Sequence, residues 1–272
     1  MINTPNGGKF NAFQFGTPGN SAHDIMTYWS PERKRAAVPA PMGFVSDRES
    51  PAGANAAPTT QPKQADLSKM PFQAGGKLFF TMDGVDYVAS ANIFMRNNLL
   101  LTAAHCIQDK TTGNLAENFA FERTYTGEIS AESLTFKTVA AKENWYLEKD
   151  LKWDYAIAIL TQNSTVATPL KYTTEDVTGR LVTSMGYPVS YAGGEQMMFV
   201  NGNLTSQPGR WILDGSQMGP GASGGAWVLE DNETAIGINS YNGTNGKTIL
   251  YAGSPMFDAE FDQLYQYVLT LL

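Results

Sequence analysis

From Lys77 onward the chain is a succession of short apolar or alternating runs separated by Gly, Asn, Asp and Pro. The runs are Lys77 to Met82, Val85 to Ser90, Leu99 to Ala103, Ser133 to Ala140, Tyr155 to Leu160, Leu181 to Met185, Gln196 to Asn201, Trp211 to Asp214, Ala226 to Leu229 and Ala235 to Ser240. Runs this short, each too brief for a buried helix and bounded by turn formers, read as strands. Many strands at such spacing predict an all-β sandwich or barrel. Asp83-Gly84 between two runs predicts a hairpin, and Asn201-Gly202, Asn242-Gly243 and Asn245-Gly246 predict further turns. Near the end, Phe261, Leu264, Tyr265, Val268 and Leu271/Leu272 share a helical face, so a C-terminal helix over 257–272 is expected to pack on the β body.

The first 71 residues have a different texture. They hold nine of the fourteen prolines. Residues 49–64 carry no large apolar side chain, so this stretch cannot offset its ordering entropy by burial. Residues 1–71 are therefore read as a Pro-rich extension and 72–272 as the main domain. Ile25 to Trp29 and Met42 to Val45 are the places where the extension could dock, and Glu32-Arg33-Lys34-Arg35 is a candidate processing site.

Composition narrows the function classes. The 272 residues are 42% hydrophobic and 11% aromatic, enough for a sizeable core. A net charge of −7 argues against a duplex nucleic-acid binder. No run reaches the ~18 apolar residues of a membrane span. One cysteine forbids an internal disulfide, and with two histidines it cannot supply a His/Cys metal cage. No metal or other cofactor is expected. Met1-Ile2-Asn3-Thr4-Pro5 opens with neither a basic nor an apolar region, so no Sec-type signal is visible.

Three residues suggest chemistry when taken together. His105 comes directly after an apolar strand, Asp154 stands between Trp153 and the run Tyr155 to Leu160, and Ser223 lies in Gly221-Ala222-Ser223-Gly224-Gly225. Each alone has a plain structural reading: a strand-end histidine, a turn aspartate, a flexible glycine loop. A serine nucleophile, however, needs a base to take its proton and donors to hold an oxyanion. The base needs a carboxylate to fix its tautomer.

The segments Thr102-Ala103-Ala104-His105-Cys106, Asp154-Tyr155-Ala156, Gly221-Ala222-Ser223-Gly224-Gly225 and Gly237-Ile238-Asn239-Ser240-Tyr241 together resemble the chymotrypsin-like (trypsin-fold) serine peptidases. Gly76-Lys77-Leu78-Phe79-Phe80 and Met185-Gly186-Tyr187-Pro188 are similar to bacterial and fungal trypsin-like and glutamyl-endopeptidase-like members. The resemblance covers about 72–270. It implies a double six-stranded antiparallel β-barrel, with His105 as general base and acid, Asp154 as its orienting carboxylate and Ser223 as nucleophile. It further implies an oxyanion hole from the N–H groups of Gly221 and Ser223. Ser240 would hydrogen-bond Asp154, and Ser240, Tyr241 and Asn242 would pair with a polypeptide substrate. Gln217, six residues before the nucleophile, would floor the pocket for the substrate's P1 side chain, with Asn239 at its wall.

Three departures stand out. Cys106 has no partner for the disulfide many relatives form at that position. Ala222 stands where animal digestive relatives use an aspartate to receive a new N-terminus, so that ion pair cannot activate this chain. Gln217 and Asn239 carry no charge, so a neutral P1 residue is expected. The resulting expectation is a monomeric endopeptidase, secreted or delivered outside the cell, with a cytoplasmic site as the alternative. A catalytically silent peptidase-fold binding protein and an esterase or acyltransferase with the same triad are the competing readings.

Overall fold

The computed structural model describes residues 2–3, 9–15, 21–46, 59–127, 129–246 and 248–272. The chain enters through β1 (Ile2–Asn3), β2 (Lys9–Gln14), α1 (Ala22–Tyr28), α2 (Pro31–Ala36), β3 (Val38–Pro39), β4 (Gly43–Ser46) and β5 (Lys63–Gln64). Next come β6 (Gly75–Met82), β7 (Val85–Ile93), β8 (Leu99–Thr102), β9 (Glu117–Arg123), β10 (Glu132–Lys142), α3 (Asn144–Glu148) and β11 (Ala156–Leu160). Strands β10, β11, β8, β7, β6 and β9 are hydrogen-bonded in that order, and β9 returns to β10, closing a six-stranded antiparallel barrel. Closure leaves no free edge around the ring. Asp83-Gly84 is the expected two-residue hairpin, with Met82 paired to Val85.

The second half comprises β12 (Lys171–Tyr172), β13 (Leu181–Gly186), β14 (Met198–Asn203), β15 (Thr205–Gln207), β16 (Arg210–Asp214), β17 (Ala226–Leu229), β18 (Thr234–Ile238), β19 (Tyr241–Asn245) and β20 (Thr248–Pro255). It forms two sheets, ordered β12-β18-β17-β13-β14-β5 and β15-β16-β20-β19-β4. Val182, Val200, Trp211, Leu213, Trp227 and Ile236 share a buried cluster in this half. Helix α4 (Ala259–Leu269) starts at Asp258, whose Oδ1 accepts from the N–H groups of Glu260 (2.9 Å) and Phe261 (3.2 Å). It buries Phe261, Leu264, Tyr265 and Val268 as the periodicity predicts, while Leu272 is exposed and Tyr267 stacks on Phe10 instead. No helix among the described residues is long and apolar enough to cross a membrane.

Two expected turns are strand interior. Asn201-Gly202 lies within β14 and Asn242-Gly243 within β19, because partners on neighbouring strands fix both in extended backbone: Gly202 pairs with Val182, and Gly243 with Tyr251. Asn245-Gly246 does turn the chain, from β19 into β20. Strand β9, not singled out in the sequence, has its apolar stretch Phe119 to Phe121 flanked by charges that its surroundings neutralise.

The extension is built into the body. Ser21 caps α1 in a reciprocal box with Asp24, and Ser30-Pro31 opens α2. Both expected docking spots are buried: Ile25 and Trp29 at one end, Met42 and Val45 at the other. Strand β6 is buried along its whole length: on its outer face Trp29 packs 5.3 Å ring to ring from Phe79, Lys77 meets Glu195, and Thr81 bonds Tyr28. Tyr28 Oη donates to Asp86 (2.7 Å), Arg33 pairs with the same carboxylate (2.8 Å), and Lys34 pairs with the buried Glu122. Strand β2 adds to β10. Of the apolar-poor segment, residues 49–58 lie outside the described residues, whereas 59–64 are held by backbone bonds to Gly215 and to β14.

Candidate active site

The pairing of β8 with β11 aligns Thr102 with Ala156, so the C-terminal exit of β8 lies beside the N-terminal entry of β11. After Thr102 the chain makes a short 3₁₀ turn, Ala104–Cys106, carrying His105; before Ala156 a second such turn, Leu151–Trp153, delivers Asp154. The Asp154 carboxylate is fully buried and accepts three hydrogen bonds. Oδ1 takes the backbone N–H of His105 (2.8 Å), and Oδ2 takes His105 Nδ1 (2.7 Å) and Ser240 Oγ (2.5 Å). Those donors offset the cost of burying a charge. With Nδ1 acting as donor to the carboxylate, Nε2 is the nitrogen left to accept a proton.

Burial, the largest influence on His105, disfavours the imidazolium. The charge and hydrogen bond of Asp154, with the adjacent Cys106 sulfur, act the other way and hold the imidazole pKa well above its ordinary 6.5. Cys106 itself is buried and free, a small apolar side chain behind the histidine.

Ser223 lies in the loop between β16 and β17, at the junction of the two halves. Ser90 N–H donates to Ser223 O (2.8 Å), and Gly224 N–H donates to Asn239 O (2.8 Å), so the loop is tied to both β7 and the segment leading to Ser240. Around the serine, the N–H groups of Ala222, Gly224 and Gly225 are committed to Gly219 O, Asn239 O and Ala222 O. Those of Gly221 and Ser223 have no acceptor among the described residues. Gly221 sits at φ +92°, and a Cβ there would meet Tyr187 O at 2.5 Å, so only glycine permits this curl. Two bare N–H groups beside a serine hydroxyl are what an oxyanion needs. Ser223 Oγ and His105 Nε2 are both buried, and neither has a hydrogen-bond partner among the described residues.

Ser90 and Asn92 escaped the sequence reading. Ser90 Oγ donates to Gly221 O (2.9 Å) while accepting Tyr187 N–H (2.9 Å), and Thr102 Oγ1 donates to Ser90 O (3.0 Å). Asn92 Nδ2 donates to Gly224 O (2.8 Å), and its Oδ1 accepts Ala226 N–H (3.2 Å). The first barrel thus sets the curvature of the serine loop. Their signal was present in the sequence: two polar side chains two residues apart, on one face of the apolar second half of a strand, flanked by Ala89 and Ala91.

The residues read as specificity positions are tightly held. Gln217 Nε2 donates to Gly215 O (3.2 Å) and Ile249 O (2.9 Å). Asn239 is locked in the core: Oδ1 accepts Ser184 Oγ and Trp227 Nε1 (2.8 Å each), and Nδ2 donates to Met185 O (2.9 Å). Asn242, also buried, crosses to the loop of Gln217, donating from Nδ2 to Met218 O (3.0 Å) and leaving Oδ1 unpartnered among the described residues. Tyr241 and Asn242 lie on β19, beginning one residue after Ser240.

Residues 89–238 match the profile of a trypsin-like peptidase domain. The fold is similar to that of a thermostable serine protease, AL20, from an extremophilic microorganism, with a TM-score of 0.66 and 28% identity over 73% of this chain and 97% of that one. It is also similar to the protease Anisep from Arthrobacter nicotinovorans (TM-score 0.65, 24% identity, 72% of this chain and 95% of that one). A Glu endopeptidase shares the fold at a TM-score of 0.64 and 17% identity, over 78% of this chain and 97% of that one. No curated protein sequence matches significantly.

Proposed function

The chain belongs to the trypsin-like peptidase family, and from that premise we propose that it is a serine endopeptidase working through Ser223, His105 and Asp154. The observation that carries this reading is the hydrogen-bonded line Ser240–Asp154–His105, together with a serine loop that has two uncommitted N–H groups and is tied to Asn239, the residue before Ser240.

In the reaction, Ser223 Oγ attacks the substrate carbonyl carbon as His105 Nε2 takes the hydroxyl proton. The carbonyl oxygen becomes an oxyanion, held by the N–H groups of Gly221 and Ser223. As the tetrahedral centre collapses, the C–N bond breaks and His105 gives its proton to the leaving amine. Water, deprotonated by His105, then hydrolyses the Ser223 ester. Asp154 keeps the imidazole in the tautomer whose Nε2 is basic, and Ser240 keeps Asp154 in place.

The substrate is a polypeptide whose backbone adds to the edge at Ser240, Tyr241 and Asn242. Gln217 Nε2 and both amide atoms of Asn239 are engaged by neighbours and neither residue carries a charge, so the site suits a neutral polar or medium apolar P1 side chain. We read the protein as a monomer acting outside the cell.

Ser223→Ala is the test. A fluorophosphonate probe should label the parent chain at Ser223 and not the variant. Casein and mixed-peptide hydrolysis should fall by on the order of 10⁶ in kcat. Ser223 Oγ has no partner among the described residues, so the variant orphans none of them and should melt with the parent. Hydrolysis within tenfold of the parent would remove Ser223 from the mechanism. Ester turnover without peptide cleavage would favour an acyltransferase or esterase.

A further inference from the structure

The edge of β19 that would receive a substrate is not free. Strand β4 of the extension pairs with it in parallel: Gly43 opposite Tyr241, Phe44 opposite Asn242, Val45 opposite Gly243 and Ser46 opposite Thr244. We propose that residues 41–46 are a built-in occupant of the substrate cleft, laid in reverse polarity, and that the full chain is thereby a latent enzyme. The proposal rests on the peptidase reading above.

Polarity comes from the fold. Strand β19 starts one residue beyond Ser240, which holds Asp154, and runs away from the candidate triad. A substrate with its acyl carbon on Ser223 and its upstream residues on this edge has its N-terminal end toward Asn245, antiparallel to β19. Strand β4 runs the opposite way. Its N-terminal end is the one nearest the triad, and Pro41, Met42 and Gly43 continue toward His105. They line with it a cleft of ≈ 260 Å³ that also includes Trp145, Leu151 and Asp154. The segment takes up the backbone donors and acceptors of the edge, while any peptide bond it brings to Ser223 is reversed relative to a substrate. It therefore fills the edge a substrate would use without being consumed.

The fit is built. At Gly43 the approach is tight: a Cβ there would sit 3.3 Å from Tyr241 Cβ and 3.2 Å from Leu151 Cδ2. Val45 is buried with Ile212, Tyr241 and Tyr251, while Phe44, between them, is 60% exposed, the alternation of a one-sided edge strand. Upstream, Ala40 N–H donates to Val88 O and β3 pairs with β7. Downstream, Thr60 N–H donates to Gly215 O (2.8 Å), Gln217 N–H donates to Thr60 O (3.3 Å), and Tyr191 Oη donates to Gln61 Oε1 (2.5 Å). The segment is thus held at its upstream end, and at Thr60 and Gln61 the chain is again bound to the body, on the loop that carries Gln217.

The test keeps the chain whole, because α2 carries the partner of the buried Glu122. Val45→Lys puts an ammonium among Ile212, Tyr241 and Tyr251, and Met42→Asp/Val45→Lys adds a second charge in case one is tolerated. Hydrogen exchange reports whether 43–46 and 241–245 lose protection while the barrel strands keep it. Fluorophosphonate labelling of Ser223 and turnover of a mixed-peptide library report the site. The expected result is lost protection confined to those two segments and peptide kcat/KM raised at least tenfold, with no cut in 41–46 in either chain. Released protection with turnover within twofold of the parent, both chains labelling equally, overturns the latency while the peptidase stands. A cut in 41–46 of the parent shows a segment bound as substrate and overturns the reversed polarity. Release with neither labelling nor hydrolysis in any chain fails the peptidase reading itself. Unchanged protection in the double variant shows that burial of Met42 and Val45 does not hold the segment, and overturns the proposed seating.

Discussion

Ser90→Ala isolates how the serine loop is shaped. The substitution removes one hydroxyl that bridges Gly221 O and Tyr187 N–H, both at 2.9 Å in a buried setting. A buried polar group left unpaired costs about 1–3 kcal/mol. With two such groups and some main-chain relaxation, the loss of stability should be about 2–4 kcal/mol. The kinetic effect depends on position. Gly221 contributes one proposed oxyanion donor, and deleting such a donor outright costs about 10²–10³ in kcat. Here the donor survives but loses the bond that aims it, so kcat should fall by about 10 to 10² with KM little changed. His105, Asp154 and Ser240 make no contact with Ser90 among their hydrogen bonds, so the pH midpoint should not move. The measurements are small-ester and peptide kinetics across pH in the Val45→Lys chain, with calorimetric melting beside them. A lower Tm with kcat within twofold of the Ser90 chain would show that Ser90 stabilises the junction without aiming Gly221, and would refute the aiming role.

Other outcomes are open to measurement. Neutral His105 is the proposed base, so activity should rise with pH, and Asp154 should place the midpoint above the ordinary 6.5; a pH–rate midpoint below that value would contradict the ion pair. Lys34→Met strands the buried Glu122, leaving only Ser130 and Ser133 as its side-chain donors, and should cost about 3 kcal/mol in denaturant unfolding. An unchanged midpoint would show that the Lys34–Glu122 pair adds nothing to the body. Dithiothreitol should change neither Tm nor activity, because the single cysteine is buried and unpaired; a tenfold loss of activity would point to a bridge between chains.

Much of the body was legible in the sequence because its determinants are local. A strand in a barrel wall announces itself over five or six residues, and the hairpin at Asp83-Gly84 needs only its own backbone preferences. The candidate residues His105, Asp154 and Ser223 stood out for another reason: each sits in a short motif whose neighbours, such as the tight Gly221 curl or the apolar run after Asp154, serve the same local geometry. Asn201-Gly202 and Asn242-Gly243 show the limit. Their turn chemistry is real, but ladder bonds to β13 in the first case, and to β20 and β4 in the second, outweigh it.

Tertiary structure alone decided how the serine loop is held and what lies in the cleft. Ser90 and Asn92 precede that loop by more than a hundred residues, and their role exists only because closing the first barrel turns one face of β7 against Gly221 and Gly224. In the sequence the extension is a Pro-rich segment with two docking spots, and only for residues 49–64 does composition rule out ordering by burial alone. What orders it is pairing: Arg33 and Lys34 meet carboxylates already fixed on the barrel, and β4 meets an edge strand with unfilled donors and acceptors. Such partners are supplied by the folded body, at separations no window of sequence spans, so a segment with little intrinsic preference takes the structure of the surface it completes.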